Sequence, residues 1–217
     1  MFTKLIKKFK GKEAPVVKTP EIMGLRLGAS FELDPLAIRL ILDELTIESC
    51  SPTQIIKAAG VVELDGTWVY RFYTDDDAWL QVVAEGGQSD EHVVDVKLFH
   101  FYDTQDVSSQ QVWDTLLKEK IGAANYQLDD RSYSRVWTST GDYHNPVHMA
   151  EKTYEEGGDF SQTDQFTMLF ERELSDQRTE SLFLSAEEKE ENAGYLSRSL
   201  VISTGITLTP SQLTIHG

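Results

Sequence analysis

An α+β fold, an extensive antiparallel sheet with a few packing helices, is predicted by three features of the sequence. Asp65-Gly66 stands between two alternating runs, VVEL and TWVYRFY, which marks a two-residue hairpin turn with Gly66 at positive φ. A second reversal, TDDDA at 74–78, brings WLQVV back alongside. Residues 109–121 then carry apolar positions at helical spacing, so a helix should cover one apolar face of that sheet.

The first turn fixes a register, because directly opposed residues share a sheet face. Leu64 faces Thr67, Glu63 faces Trp68, Val62 faces Val69 and Val61 faces Tyr70. The second reversal pairs Tyr73 with Trp79, Phe72 with Leu80, Arg71 with Gln81 and Tyr70 with Val82. One face collects Trp68, Tyr70, Phe72, Leu80 and Val82. The other holds Val69, Arg71, Tyr73, Trp79 and Gln81, apolar enough to need cover and polar enough to reach water.

Taken in order, residues 1–12 hold five lysines and no acidic residue. Phe2, Leu5, Ile6 and Phe9 fall at helical spacing with Lys4, Lys7, Lys8 and Lys10 around them. Residues 1–20 read as a flexible basic tail and linker, and 21–217 as a single α+β domain, with two closely packed sheet subdomains as the alternative. MGLRLGASFELDP is a strand or an extended lead-in, ending in an Asp34 N-cap with Pro35 at N1. Ile38, Ile41, Leu42 and Leu45 line one helical face, and that helix should stop near Leu45 or Thr46. Residues 53–59 form a strand leading into Gly60 and the hairpin. EHVVDVKLFHFYD alternates as a long strand of the same sheet. Ser108 with Gln111 suggests a capping box, and the helix that follows stacks Trp113 with Leu117 and Ile121. Five more candidate strands follow: YSRVWTS, PVHMAEKTY, QFTMLFEREL, ESLFLSAEE and SLVISTGITLT. The run AEEKEEN reads as a short helical turn with its charges in solvent.

A formal charge of -16 and a pI near 4.6 exclude general nucleic-acid binding, since such a surface repels phosphates. One cysteine excludes an internal disulfide framework and fits a reducing, cytoplasmic setting. Cys50, in IESCSP, reads as a partly buried or loop thiol with nothing nearby in sequence to activate it. MFTKLIKKFKGK lacks the apolar core and cleavage site of a secretory signal. No later run approaches the ~20 apolar residues of a membrane span.

The chemistry-bearing patterns are few. GxSxG, Walker, dinucleotide and HExxH motifs are absent, and no cofactor is indicated. Asp75, Asp76 and Asp77, with Asp103 and Asp106 further on, offer the hard oxygen ligands of Ca²⁺ or Mg²⁺ without the EF-hand spacing. His144 and His148, with Glu151 beyond, are split by Pro146, and residues four apart in a strand lie about 13 Å from each other. Arg71 and Arg135 either pair with a buried acid such as Glu63, Asp95 or Glu151, or contact a ligand carboxylate or peptide. The leading expectation is a non-enzymatic binding or scaffold protein, with Arg71, Tyr73, Asp76, Trp79, Gln81, Arg135 and Trp137 as contact residues. The alternative is a metal-assisted hydrolase using carboxylates among Asp75, Asp76, Asp77 and Asp103, joined by His144 or His148. The expected partner is another protein. Phe2, Lys4, Leu5, Lys7, Lys8 and Phe9 are expected to make weak contact with anionic lipid or a membrane-bound partner. Long strands need edge protection, which a two-fold homodimer would supply.

The pattern LGxxFELDP, then GVVELDGTWVYRFYTDDDAWLQV, then YSRVW and PVHMAEKTY, resembles the YjfK-like family of uncharacterised bacterial cytoplasmic proteins. The resemblance runs over 25–208. It is most specific at Gly60, Gly66, Arg71, Tyr73, Asp76, Leu80, Gln81, Arg135, Trp137 and Pro146-Val147. Family members are similar to products encoded near a membrane-stress protein of the phage-shock type, a small membrane protein and a ligase resembling glutathionylspermidine synthetase. The resemblance therefore implies a link to membrane stress or envelope maintenance, peripheral to the inner membrane, and names no catalytic residue.

Overall fold

Asp65 and Gly66 take φ values of 46° and 83°, the left-handed pair that a two-residue hairpin turn demands. They join β2 (Thr53–Leu64) to β3 (Thr67–Thr74), which continues through the aspartate turn to β4 (Ala78–Glu85). Both hairpins carry the register read from the sequence, from Leu64 opposite Thr67 to Tyr73 opposite Trp79. This computed structural model describes residues 18–191 and 194–217, so the expectations for residues 1–12 lie outside the described residues.

The remaining elements are β1 (Ser30–Leu33), α1 (Pro35–Arg39), β5 (Val93–Asp106), α2 (Gln110–Thr115), β6 (Asn125–Leu128), β7 (Arg131–Arg135), β8 (Val147–Glu155), β9 (Phe160–Glu173), β10 (Thr179–Glu190), β11 (Leu196–Thr207) and β12 (Leu213–His216). Antiparallel pairing runs β2-β3-β4-β5-β11-β10-β9, and β8 then pairs both β9 and β2. The sheet thereby closes on itself as a barrel, which removes the edges of its long strands. β1 and β12 extend the sheet beside the first residues of β2, and β7 and β6 extend it beside the end of β9.

Alternation assigns the two sides of the wall. Arg71 on β3 bonds to Glu151 on β8 and Gln165 on β9, strands that are not its neighbours, so Arg71 and its in-phase partners line the interior. The face of Val69, Arg71, Tyr73, Trp79 and Gln81, apolar enough to need cover, is covered: it lines the barrel interior, with Arg71 only 1% exposed, and does not reach water as its polar residues suggest. Closure through β8 supplies the cover. Gly60 on β2 makes room for this packing, because a Cβ there would overlap the Glu151 carboxylate.

Outside the wall lie two apolar layers. Tyr70, Phe72, Leu80, Val82, Val96 and Leu98 pack under Phe31, Leu33, Ile38, Ile41 and Leu45. Across the barrel, Met168, Phe170, Leu182, Leu184 and Ile202 pack under Trp113, Leu116, Ile121 and Tyr133. Each such side chain contributes about 1.5–3 kcal/mol on full burial. The helix from the 109–121 segment thus covers an apolar face as expected.

Several local readings are corrected. Asp34 caps α1 by accepting from the amide nitrogens of Leu36 and Ala37, but the helix stops at Arg39 and resumes only as a 3-10 turn, Leu42–Glu44. The carbonyls of a longer helix are used elsewhere: Arg172 donates to Glu44 O and Arg131 to Leu45 O. Ser109, rather than Ser108, caps α2 by accepting from the Val112 amide. Beyond α2 the chain widens into a π turn, Leu116–Lys120. Residues 186–190 of AEEKEEN are strand rather than helix, held between β9 and β11, with Glu188 paired to Arg198. Glu187, expected in solvent, turns toward the interior and accepts from Gln165 and Ser185.

Candidate functional site

The interior is polar at its centre. Glu151 accepts from Arg71 Nη1 at 2.6 Å, Tyr73 Oη at 2.8 Å and Thr153 Oγ1 at 3.2 Å. Arg71 Nη1 also donates to Gln165 Oε1, and its Nε donates to Gln81 Oε1. The guanidinium lies 5.1 Å from each of the Trp79 and Phe183 ring centroids. Of the acids considered for Arg71, Glu151 is the partner. Four sequence-predicted contact residues, Arg71, Tyr73, Trp79 and Gln81, therefore converge, but around a carboxylate of the same chain.

Burial, with the Glu151 carboxylate nearby, holds the Glu187 carboxyl above its ordinary range, against the hydrogen bonds and the Arg71 charge that lower it. A carboxyl raised in the folded state adds stability that is full below the unfolded value and fades as pH rises through the folded one. Relative to Glu187→Gln, the native chain should lose stability as pH climbs from 4.5 toward neutrality. Urea unfolding at a series of pH values checks this; a gap independent of pH would contradict it.

The other predicted residues lie apart. Arg135 donates to the carbonyls of Trp137, Gly122 and Asp142, at 2.8, 2.5 and 3.2 Å, and so ties loops together. Trp137 packs beside Val62, Val69 and Met149. His148 pairs with Asp164 on the outer face, while Glu151 points inward, so His144, His148 and Glu151 form no joint site. Asp75 accepts from the Ile55 amide, Asp77 takes a φ of 48° in the turn, and Asp103 accepts from the Thr104 amide.

Asp76 has different company. β4 pairs with β5 so that Ala78 faces His100, which sets the aspartate turn beside the outward-facing His100. The segment entering β2 approaches from the other side: Ser51 N and Gln54 Nε2 donate to Asp76 Oδ2 at 2.7 and 3.2 Å. Gln54 also donates to Cys50 Sγ at 3.7 Å. One ligand atom each from Cys50, Asp76 and His100 falls within 4.8 Å of the other two. His100 Nε2 stands 3.7 Å from Asp76 Oδ2, too far for a hydrogen bond, and is buried without a partner.

Burial dominates the electrostatics of this cluster. Burial, reinforced by the Asp76 charge, pushes the Cys50 thiol up to about 12. Burial lowers the His100 pKa despite the opposing pull of Asp76, which keeps the imidazole neutral at pH 7. A neutral imidazole, a carboxylate and a thiol make a mixed N, O and S donor set. Tetrahedral zinc spaces its ligand atoms by roughly 3.5 Å, close to the His100–Asp76 separation. Sequence reasoning singled out Asp76 but assigned Cys50 no role and treated His100 only as part of a strand. The one available signal was a histidine on the apolar Val96-Leu98 face of its strand.

Fold and site together define an antiparallel barrel with a Cys-Asp-His cluster on its outer wall. The chain belongs to the family described as protein of unknown function (DUF2491), which matches residues 1–214. It is 29% identical over 194 residues to the uncharacterized protein YjfK of Escherichia coli (strain K12), across 85% of this chain and 88% of that relative. The family resemblance read from the hairpin and the later strands is thus shown. No solved structure matches the chain. No helix among the described residues is long and apolar enough to cross a membrane.

Proposed function

We propose that this protein binds a transition-metal ion, zinc best of all, through Cys50, Asp76 and His100. The observation that carries the reading is His100 Nε2, buried, without a hydrogen-bond partner, and facing a carboxylate and a thiol. A buried imidazole nitrogen 3.7 Å from a carboxylate oxygen, with a thiol beside them, has the donor types and spacing of a metal site. Thiolate and imidazole favour zinc over the oxygen-seeking Mg²⁺ and Ca²⁺. Three protein ligands leave one position of a tetrahedron for water, the pattern of metal-assisted hydrolysis. Asp76 is the only carboxylate of the aspartate turn to take part, while Asp75 holds the backbone of β2. The cavity beside Cys50 and His100, which Asp76 does not line, has room for about one water, so metal binding is the supported core of the reading and hydrolysis its extension.

Elemental analysis of the protein purified without chelator should find stoichiometric zinc. Cys50→Ser and His100→Gln should each lower the zinc content sharply with the circular dichroism spectrum unchanged. A native chain that holds no zinc, and takes up none at micromolar concentration, would sink the proposal.

A further inference from the structure

We infer that Thr204 holds the fourth, water ligand of the metal, an assignment that rests on the metal reading of Cys50, Asp76 and His100. Thr204 on β11 is directly opposite His100 on β5, and both side chains lie on the outer face of the barrel wall. Opposed Cβ atoms in such a pair are about 4.5–5.5 Å apart, so the two side chains stand next to each other. Thr204 is 1% exposed, and its Oγ1 is, like His100 Nε2, buried without a hydrogen-bond partner. Two orphaned polar atoms on adjacent positions point to one shared occupant.

The space for it is present. Cys50, His100 and Thr204 line one cavity, roofed by Ile38, Leu45 and Ile47, with about 10 Å³ open to the centre of a water molecule. That is room for roughly one water, which needs two to four polar partners to be held. Glu180 also borders the cavity, but its carboxylate already accepts from Thr46, Tyr133 and Arg172. Thr204 Oγ1 is therefore the free acceptor. A water bound to a metal at the cluster has its lone pair on the ion and its hydrogens to donate, and Thr204 receives one of them. A water bridging His100 and Thr204 without metal would also satisfy both atoms and leave Cys50 and Asp76 to the bonds they make with Ser51 and Gln54; a chain with no cobalt charge-transfer band is the signature of that arrangement.

Cobalt(II) replaces zinc and makes the site visible. Titration of the full chain with Co²⁺ should give a sulfur-to-cobalt charge-transfer band and the ligand-field bands of a four-coordinate ion. Thr204→Val keeps the shape and removes the acceptor. It should weaken Co²⁺ binding about tenfold, the loss expected for one hydrogen bond to a metal-bound ligand, and shift the ligand-field bands. Thr204→Ser keeps the hydroxyl and should bind within about twofold of the native chain with unshifted bands. If Thr204→Val binds Co²⁺ as tightly as the native chain with the same spectrum, the Thr204 assignment is overturned while the three-residue metal site stands. A native chain that shows no charge-transfer band at saturating Co²⁺ overturns the metal reading itself, and this assignment with it.

Discussion

Replacing Arg71 with methionine is expected to destabilise the fold by about 3–5 kcal/mol, the largest effect of any single substitution considered. Arg71 is 1% exposed, and its guanidinium holds Glu151, also 1% exposed, at 2.6 Å. Burial works against the Arg71 charge, and the Glu151 carboxylate overrides it, holding the guanidinium above its ordinary range. Removing the arginine alone leaves a carboxylate inside the barrel with Tyr73 and Thr153 as its hydrogen-bond donors among the described residues. Removing both charges does not. Arg71→Met with Glu151→Met should therefore be less destabilised than the two single changes added together, by more than about 1 kcal/mol. Urea unfolding of the four chains measures the coupling; simple additivity would show that the pair is not the keystone of the interior.

That interior also marks the boundary of what the sequence discloses. The hairpins were legible because Asp65-Gly66 fixes a local register, and parity along β3 and β4 then places every side chain on one face or the other. Glu151 could be named as a partner for Arg71, but the closure that brings it there could not. β8 meets β2 across about ninety residues of chain, and such a long-range pairing leaves no local pattern. Without closure the Arg71 face looks half-polar and wettable. With it the same residues form a buried network. The short strands β6 and β12, four residues each, are too brief to show alternation. The Cys50, Asp76 and His100 cluster is illegible for the same reason as the closure: the three residues come from a loop, a turn and a strand that meet only through tertiary pairing. Pro146 and the roughly 13 Å span of four strand residues counted against a His144–His148 site, and the structure adds that His148 and Glu151, three apart on β8, point to opposite faces.

Zinc is expected to raise the thermal midpoint of the native chain by roughly 5–10 °C at a free concentration a hundredfold above its dissociation constant. A ligand that binds only the folded state at that excess adds about 2.7 kcal/mol, and a chain of this length gains about 2–4 °C per kcal/mol. The gain should be localised in origin. Cys50 and its neighbours lead into β2, Asp76 belongs to the turn between β3 and β4, and His100 sits on β5, so one ion would crosslink three stretches that hydrogen bonds already hold side by side. Cys50→Ser and His100→Gln each remove one donor, and neither should respond to zinc by more than a degree or two. Mg²⁺ should leave all three chains unmoved, because the set contains only one hard oxygen ligand from a side chain. Excess chelator should return the native midpoint to its metal-free value. Scanning calorimetry of the three chains with zinc, magnesium and chelator decides the matter: an equal zinc response in all of them would place the ion somewhere other than this cluster.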